Sequence, residues 1–175
     1  MLETILRYKS ALGFVLKFFV VYILFTFVYS LYLSNFDGIP DGITRIVADQ
    51  TVAIIDVFGY DSKVMLHETE PTMKLLVNDT YVGRIVEGCN SISVLILFIT
   101  FVIAFTGNLK NTILFAVIGS ICVYTANLLR IVVLGIGLYR FPEYEYMLHH
   151  IVFPTIIYGM VFLLWMFWVK KFSKK

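Results

Sequence analysis

The sequence predicts an all-α integral membrane protein with about four transmembrane helices and an extracytoplasmic segment that contains an amphipathic helix and a β-hairpin. Composition is the first observation: 59% of the 175 residues are hydrophobic and 15% are charged, against roughly 45–50% and 25% in soluble domains. The second is that apolar residues form long runs. The third is that one sizeable polar segment, residues 34–88, interrupts them. We therefore treat residues 1–175 as a single membrane domain.

Four apolar runs are candidates for membrane helices. The first, Ala11–Leu33, would extend roughly 34 Å as a helix, which is enough to cross a hydrocarbon core of about 30 Å. The others are Ile92–Phe105, Thr112–Leu138 and Ile151–Val169. Four crossings would place both termini on the same side of the membrane.

Charged residues are distributed unequally between the two sides that this topology defines. The side with the termini carries the basic residues Arg7, Lys9, Lys17, Lys110, Lys170, Lys171, Lys174 and Lys175, with Glu3 as its one acidic residue. The other side is mainly acidic. Cytoplasmic loops of membrane proteins carry an excess of Lys and Arg. We therefore expect both termini in the cytoplasm and residues 34–88 outside it.

The segment 34–88 begins with a helical pattern. Asp41 is a suitable N-cap residue for a helix that continues through Phe58, and Gly59 is a suitable stop. Apolar residues recur at helical spacing on one face: Ile43, Ile46, Val47, Ile54, Ile55 and Phe58. This amphipathic pattern predicts a helix that lies on the membrane surface or on the helix bundle.

A β-hairpin is predicted next, with strands 74–77 and 80–86 around a turn at Asn78 and Asp79. The second strand leads directly into Cys89, which should lie in the first turn of the second membrane helix, at the outer face. A helix N-terminus carries partial positive charge. That charge favours the thiolate, which is the nucleophilic form of cysteine.

Two other helices bring polar residues to the same depth as Cys89. Arg130 lies about 18 residues into the third helix, or roughly 27 Å from its inner end. His149 and His150 begin the fourth helix at that same face. Arginine in a membrane helix is costly and normally faces the bundle interior. The alternatives are that Arg130 extends to the lipid headgroups and that the histidines are ordinary interfacial residues.

These residue types together favour nucleophilic catalysis. A histidine can take the proton of Cys89 and later protonate a leaving amine, while Arg130 can stabilise an oxyanion. Asn127 shares a helix face with Arg130, although it could equally make an interhelical hydrogen bond. Glu87 could orient a histidine or simply be solvated. Consecutive helical residues point about 100° apart, so only one histidine can face Cys89 well, and spacing does not tell which.

Neither a disulfide nor a cofactor is expected. Cys122 lies roughly 12 Å deeper than Arg130 by helical rise, which is too far for a bond with Cys89. No residues have the spacing of a metal site, and nothing indicates a nucleic-acid partner.

Three short stretches resemble the exosortase/archaeosortase family: EGCNSIS at residues 87–93, ANLLRI at 126–131 and LHHIVFP at 148–154. The continuation YGMVFLLW is similar to the F-type (flavobacterial) branch. The resemblance covers about residues 80–170. It implies a multi-pass cysteine protease and transpeptidase of the bacterial inner membrane, and it assigns the family's Cys, Arg and His to Cys89, Arg130 and His149. Its substrate proteins would carry a C-terminal tail of a short motif, a membrane helix and a basic end.

The chain also departs from this family. Asn90 and Ser91 follow the cysteine where small residues and glycine are common, and four helices are fewer than larger relatives have. Substrate motif, acceptor and oligomeric state are therefore left open.

Two other functions compete with the enzymatic one. In a non-enzymatic membrane subunit, Arg130 and the histidines would bind a partner helix or a lipid headgroup, and Cys89→Ser would be silent. A membrane thiol oxidoreductase is disfavoured because the chain has no C-x-x-C motif.

Overall fold

The computed structural model describes residues 2–105 and 108–172, and within them the chain is mostly helical. The α-helices are α1 (Leu2–Leu33), α2 (Gly42–Val57), α3 (Ile92–Ala104), α4 (Leu109–Arg140), the single turn α5 (Glu145–Met147) and α6 (Phe153–Phe172). Three strands lie between α2 and α3: β1 (Ser62–Leu66), β2 (Met73–Val77) and β3 (Thr80–Ile85). The connection between the predicted helices Ile92–Phe105 and Thr112–Leu138 lies partly outside the described residues.

Three helical stretches in the described residues are long and apolar enough to cross a membrane: Ala11–Leu33, Leu109–Arg140 and Pro142–Lys171. The chain is therefore a multi-pass membrane protein. The remaining apolar run forms α3, whose 13 residues extend roughly 20 Å, short of a hydrocarbon core of about 30 Å. A fourth crossing stays a prediction.

The four apolar helices α1, α3, α4 and α6 alternate in direction. Contacts at one end of the bundle join Tyr29 with Asn90, Asn127 with Cys89, and Gly137 with Leu148. Contacts at the other end join Phe14 with Phe101, Phe98 with Phe115, and Phe115 with Trp168. We call the first the polar end and the second the aromatic end.

The aromatic end is an apolar core with stacked rings. Phe115 stacks on Trp168 with ring centroids 4.6 Å apart, and Phe101 stacks on Trp165 at 4.4 Å. Phe98 is fully buried against Gly119, where an added Cβ would lie 2.2 Å from the ring. Glycine at this position therefore lets α3 and α4 approach closely.

Helix α2 begins and ends as predicted. The Asp41 carboxylate accepts hydrogen bonds from the backbone N–H groups of Ile43 and Thr44, and Gly59 follows the helix with φ +85°. The predicted apolar face is partly wrong, because Ile46 and Phe58 are exposed. The buried face is instead made of Thr44, Val47, Ala48, Thr51 and Ile55. Helix α2 packs against the sheet and α4, which agrees with the prediction of a helix that lies on the bundle.

The predicted hairpin is confirmed, and it belongs to a three-stranded antiparallel sheet in the order β1-β2-β3. Asn78 and Asp79 have φ of 48° and 60° respectively, so the turn has the two positive φ angles of type I′. Strand β1 was not predicted, because the sequence SKVML has no clear alternation. The sheet shares a second apolar core with α2 and α4, where Gly135 leaves room for Leu75 and Ile55.

The last helical segment starts earlier than predicted. His149 and His150 were predicted to begin the last helix, but the chain is helical from Pro142 onward. The two histidines therefore lie inside this segment, in a π-helical turn, Leu148–Val152. Pro154 lies two residues after this turn. It has no N–H to donate to the carbonyl of His150, and its ring would crowd that carbonyl in a regular α-helix. The wider π-helical turn relieves this crowding.

Candidate active-site cavity

Cys89 ends a short 3₁₀ turn, Glu87–Cys89, and α3 begins three residues later at Ile92. The prediction that Cys89 lies in the first turn of the helix is therefore wrong. Ser91 separates the two elements, because its φ of 65° is left-handed and cannot continue a helix. The first N–H of α3, on Ile92, donates to the Asn90 side chain at 3.0 Å. Stabilisation of a thiolate by the first turn of α3 consequently has no direct support.

Asn90 fixes the chain next to Cys89. Its side chain is 1% exposed and donates to the hydroxyl oxygens of Tyr29 at 2.9 Å and Thr44 at 3.2 Å. The Thr44 hydroxyl in turn donates to the Asp41 carboxylate. One amide thus joins α1, α2 and the start of α3. Sequence reasoning missed this role, although an Asn just before an apolar run is a typical capping residue.

Asn127 links Cys89 to Arg130. Its side-chain N–H donates to the backbone carbonyl of Cys89 at 2.7 Å, and its oxygen accepts from the Arg130 guanidinium at 3.3 Å. Asn127 is 2% exposed. Because both ends of the amide are used, its orientation is determined by its partners. The interhelical hydrogen bond and the shared face with Arg130, which the sequence presented as alternatives, occur together.

One cavity of about 720 Å³ brings the candidate residues together. Its lining includes Cys89, Arg130, His149 and His150, which come from the 3₁₀ turn, α4 and the π-helical turn. Glu87 is not part of this lining.

Glu145 lines the cavity and was not considered as a site residue from the sequence. It lies four residues before His149, a spacing that places both on one helix face. The sequence analysis placed the start of the last helix at His149, so Glu145 was not assigned to a helix face. Proline is in fact well tolerated in the first turn of a helix, and here it opens the turn that precedes Glu145.

The two histidines have different surroundings. The His150 ring stacks on Tyr146 with centroids 4.7 Å apart, and its Nδ1 lies 3.3 Å from the Tyr146 carbonyl oxygen. The charges of Arg130 and Glu145 both act on His149. The two rings are 5.1 Å apart and both line the cavity; that only one of them faces Cys89 well stays a prediction.

Arg130 has hydrogen-bond donors that no described residue accepts. Its guanidinium carries five N–H groups, and its buried Nε has no hydrogen-bond partner among the described residues.

Cys89 and Cys122 are both free thiols. Across residues 2–105 and 108–172, no three His, Cys, Asp or Glu side chains gather as metal ligands would. The cavity therefore offers the Cys89 thiol, two imidazoles, the Glu145 carboxylate and the guanidinium groups of Arg84 and Arg130.

These features define a multi-pass membrane protein with a thiol-containing cavity at one end of its helices. Comparison with family models identifies the group: the transmembrane exosortase family (Exosortase_EpsH) matches residues 5–169. The chain belongs to this family. The comparisons with curated proteins and with solved structures find no match.

Proposed function

We propose that the protein is a membrane cysteine protease and transpeptidase that cleaves C-terminal sorting tails from exported proteins. The observation that carries the proposal is the cavity that Cys89, Arg130 and His149 line together. Membership of the exosortase family supports the same chemistry. The F-type branch, suggested by YGMVFLLW, belongs to the proposal as well.

In the proposed topology all four apolar helices cross the bacterial inner membrane, and both termini are cytoplasmic. The alternating helix directions and the basic residues at both ends of the sequence support this arrangement. The cavity would then open at the extracytoplasmic face. The short α3 would reach that face through the 3₁₀ turn that carries Cys89.

The reaction begins with activation of Cys89. His149 accepts the thiol proton, and the thiolate sulfur attacks the scissile carbonyl carbon of the substrate tail. Glu145, one turn before His149, stabilises the imidazolium that forms. Since Asn127 holds the Cys89 carbonyl, the nucleophile keeps a defined position during the attack.

Arg130 stabilises the tetrahedral intermediate. The attack moves an electron pair onto the carbonyl oxygen, and the unused guanidinium N–H groups can donate to that oxyanion. The hydrogen bond to Asn127 orients the guanidinium before substrate arrives. A donor that is already oriented stabilises developing charge without reorganisation in the transition state.

The intermediate then collapses with cleavage of the C–N bond. The His149 imidazolium gives its proton to the departing amine, which leaves with the membrane helix and basic end of the tail. The remaining thioester joins Cys89 to the exported protein. An external nucleophile attacks this thioester, restores the thiol and completes the transfer.

A tail reporter tests the proposal: an exported domain fused to candidate tails of a short motif, an apolar helix and a basic end. Co-expression with the protein should release the domain from its tail, and Cys89→Ser or Arg130→Ala should abolish this release. If Cys89→Ser processed normally and Arg130→Ala disrupted assembly, the chain would act as a binding subunit.

Alkylation identifies the base without any substrate. In the Cys122→Ala protein, we expect His149→Ala to slow iodoacetamide labelling of Cys89 at pH 7 by about tenfold, because the thiolate reacts and the thiol does not. His150→Ala should change the rate much less. The reverse order would assign the role to His150, and equal rates in all three proteins would contradict a resting thiolate–imidazolium pair.

A further inference from the structure

Strand β3 is one of the two edge strands of the sheet, and β1 is the other. Strand β2 pairs with one side of β3, and no strand in the described part of the chain pairs with the other side. An edge strand presents a row of unpaired backbone N–H and C=O groups, which can pair with a further extended segment.

The cavity follows this open edge. Six consecutive residues, 81–86, line it, whereas β2 contributes Leu75 and β1 contributes none. Successive residues of a strand point to opposite faces of the sheet. A cavity that touched one face would therefore be lined by every second residue, so the unbroken run indicates that it borders the edge.

The same edge continues to the nucleophile. Gly88 and Cys89 also line the cavity, and the Cys89 N–H donates to the Val86 carbonyl at 2.8 Å. Strand β3 and Cys89 are thus connected by a short turn on one wall. Arg130, the proposed oxyanion donor, lines that cavity too.

We propose that the substrate segment next to the scissile bond binds as an extended fourth strand along β3. This pairing presents the scissile carbonyl of the substrate to Cys89. This inference rests on the proposed function and names how that site recognises its substrate. Pairing of this kind uses main-chain hydrogen bonds for affinity and side-chain pockets at alternate positions for selectivity. The preferred substrates therefore have free backbone N–H groups at alternate positions.

The register shows which β3 residues offer their backbone. Val77 and Thr80 close the type I′ turn, and this pair is hydrogen-bonded. Hydrogen-bonded pairs alternate with pairs whose backbone groups point outward. The outward groups belong to Tyr81 and Arg84, which lie opposite Leu76 and Lys74 on the two sides of an irregularity in the ladder.

A backbone-methylation scan tests the pairing. The probes are pools of short randomised peptides with a C-terminal vinyl sulfone, to whose β-carbon the Cys89 thiolate adds while the α-carbon takes up a proton. Each pool carries one N-methyl group, at the second, third, fourth or fifth residue from the vinyl sulfone. Labelling of the Cys122→Ala protein should fall about tenfold at every second position, the effect of one lost hydrogen bond, and change little between.

A strand variant provides a second test. Arg84→Pro removes an N–H that faces the open edge, a position where an edge strand tolerates proline. It should lower labelling by the unmethylated pools about tenfold and leave the thermal unfolding midpoint near that of the matched control, Arg84→Ala. Arg84→Ala keeps the backbone N–H, so the loss of labelling is taken from Arg84→Ala to Arg84→Pro, and equal labelling of these two variants would contradict the pairing.

The outcomes separate this inference from the proposed function. If labelling depends on Cys89 but falls equally for all four methylated pools, or for none of them, strand pairing is overturned and the cysteine chemistry stays intact. Absence of Cys89-dependent labelling by every unmethylated pool would overturn both.

Discussion

The polar end and the aromatic end of the bundle are built from the same helices and differ in how these helices are joined. At the polar end, buried amides bridge separate elements: Asn90 reaches α1 and α2, and Asn127 reaches the turn that carries Cys89. At the aromatic end, the contacts are rings and aliphatic side chains around Phe98 and Trp168.

The two ends therefore have different roles: the polar end positions the cavity residues, and the aromatic end stabilises the fold. Hydrogen bonds are directional, so the amides fix where Cys89 and Arg130 lie, while each contributes only about 1 kcal/mol net. Packing is less directional but sums over many contacts. We therefore expect substitutions at the polar end to affect chemistry more than stability, and substitutions at the aromatic end to do the opposite.

The largest contrast should come from two residues on one face of α4, Asn127 and Val123. Asn127→Ala frees the Cys89 carbonyl and the Arg130 guanidinium, so processing of the tail reporter should fall about 100-fold, as for a misplaced reacting group. Val123→Ala, one turn away in the aromatic cluster, should lower the free energy of unfolding by about 1–2 kcal/mol and leave processing per folded molecule unchanged.

Equal effects of these two variants on processing would contradict the separation. Stability is measured by the thermal midpoint of tryptophan fluorescence in detergent. Both tryptophans of the chain, Trp165 and Trp168, belong to the aromatic end, so the signal reports directly on that region.

The next effect concerns helix approach at the aromatic end. In Gly119→Ala, the new Cβ would lie 2.2 Å from Cζ of the buried Phe98 ring, and overpacking of this kind costs about 1–3 kcal/mol. The thermal midpoint should fall. Gly159→Ala is the control, because no described atom lies within 4 Å of the added Cβ, and it should be neutral or slightly stabilising. A midpoint for Gly119→Ala at or above that of Gly159→Ala would contradict the close approach.

The aromatic end and the sheet show how much could be predicted from the sequence. Apolar runs marked all four helices, Asp41 and Gly59 marked the ends of α2, and the Asn78–Asp79 pair marked the hairpin. These are local signals, set by burial, capping and turn chemistry within a few residues. Two helix starts differ from the prediction, because they depend on contacts between residues far apart in sequence: α4 begins at Leu109, and the last helical segment begins at Pro142.

The polar end was less predictable for a physical reason. Helical rise placed Cys89, Arg130 and the histidines at one depth, and they do line one cavity. The partners that organise them, Asn90 with Thr44 and Asn127 with the Cys89 carbonyl, join residues far apart in sequence. Periodicity gives no rotation of one helix about another, so these hydrogen bonds, and the place of Glu145 in the lining, could not be derived.

A smaller effect is expected for the hydroxyl that supports Asn90. Thr44→Val keeps the shape and removes the hydrogen bonds with Asn90 and Asp41, so the reporter should be processed several-fold more slowly, for a cost of about 1 kcal/mol. Thr51→Val is the matched control on the same buried face, because the Thr51 hydroxyl donates only within its own helix, to Val47. Similar processing rates for both variants would show that the Asn90 network does not position Cys89.

The smallest effect lies where the two ends meet along α4. The Tyr124 hydroxyl donates to the Gln50 side chain of α2 at 2.6 Å, in an exposed position. This hydrogen bond joins two uncharged groups at the outside of the bundle, so Tyr124→Phe should lower the free energy of unfolding by about 0.5 kcal/mol, the low end for such a bond, and leave reporter processing unchanged. Tyr158→Phe is the control, since Tyr158 is exposed on α6 and has no hydrogen bond among the described residues. A strong loss of processing in Tyr124→Phe alone would mean that the docking of α2 on α4 helps to position the cavity, and that the polar end extends one turn further down α4 than its buried amides indicate.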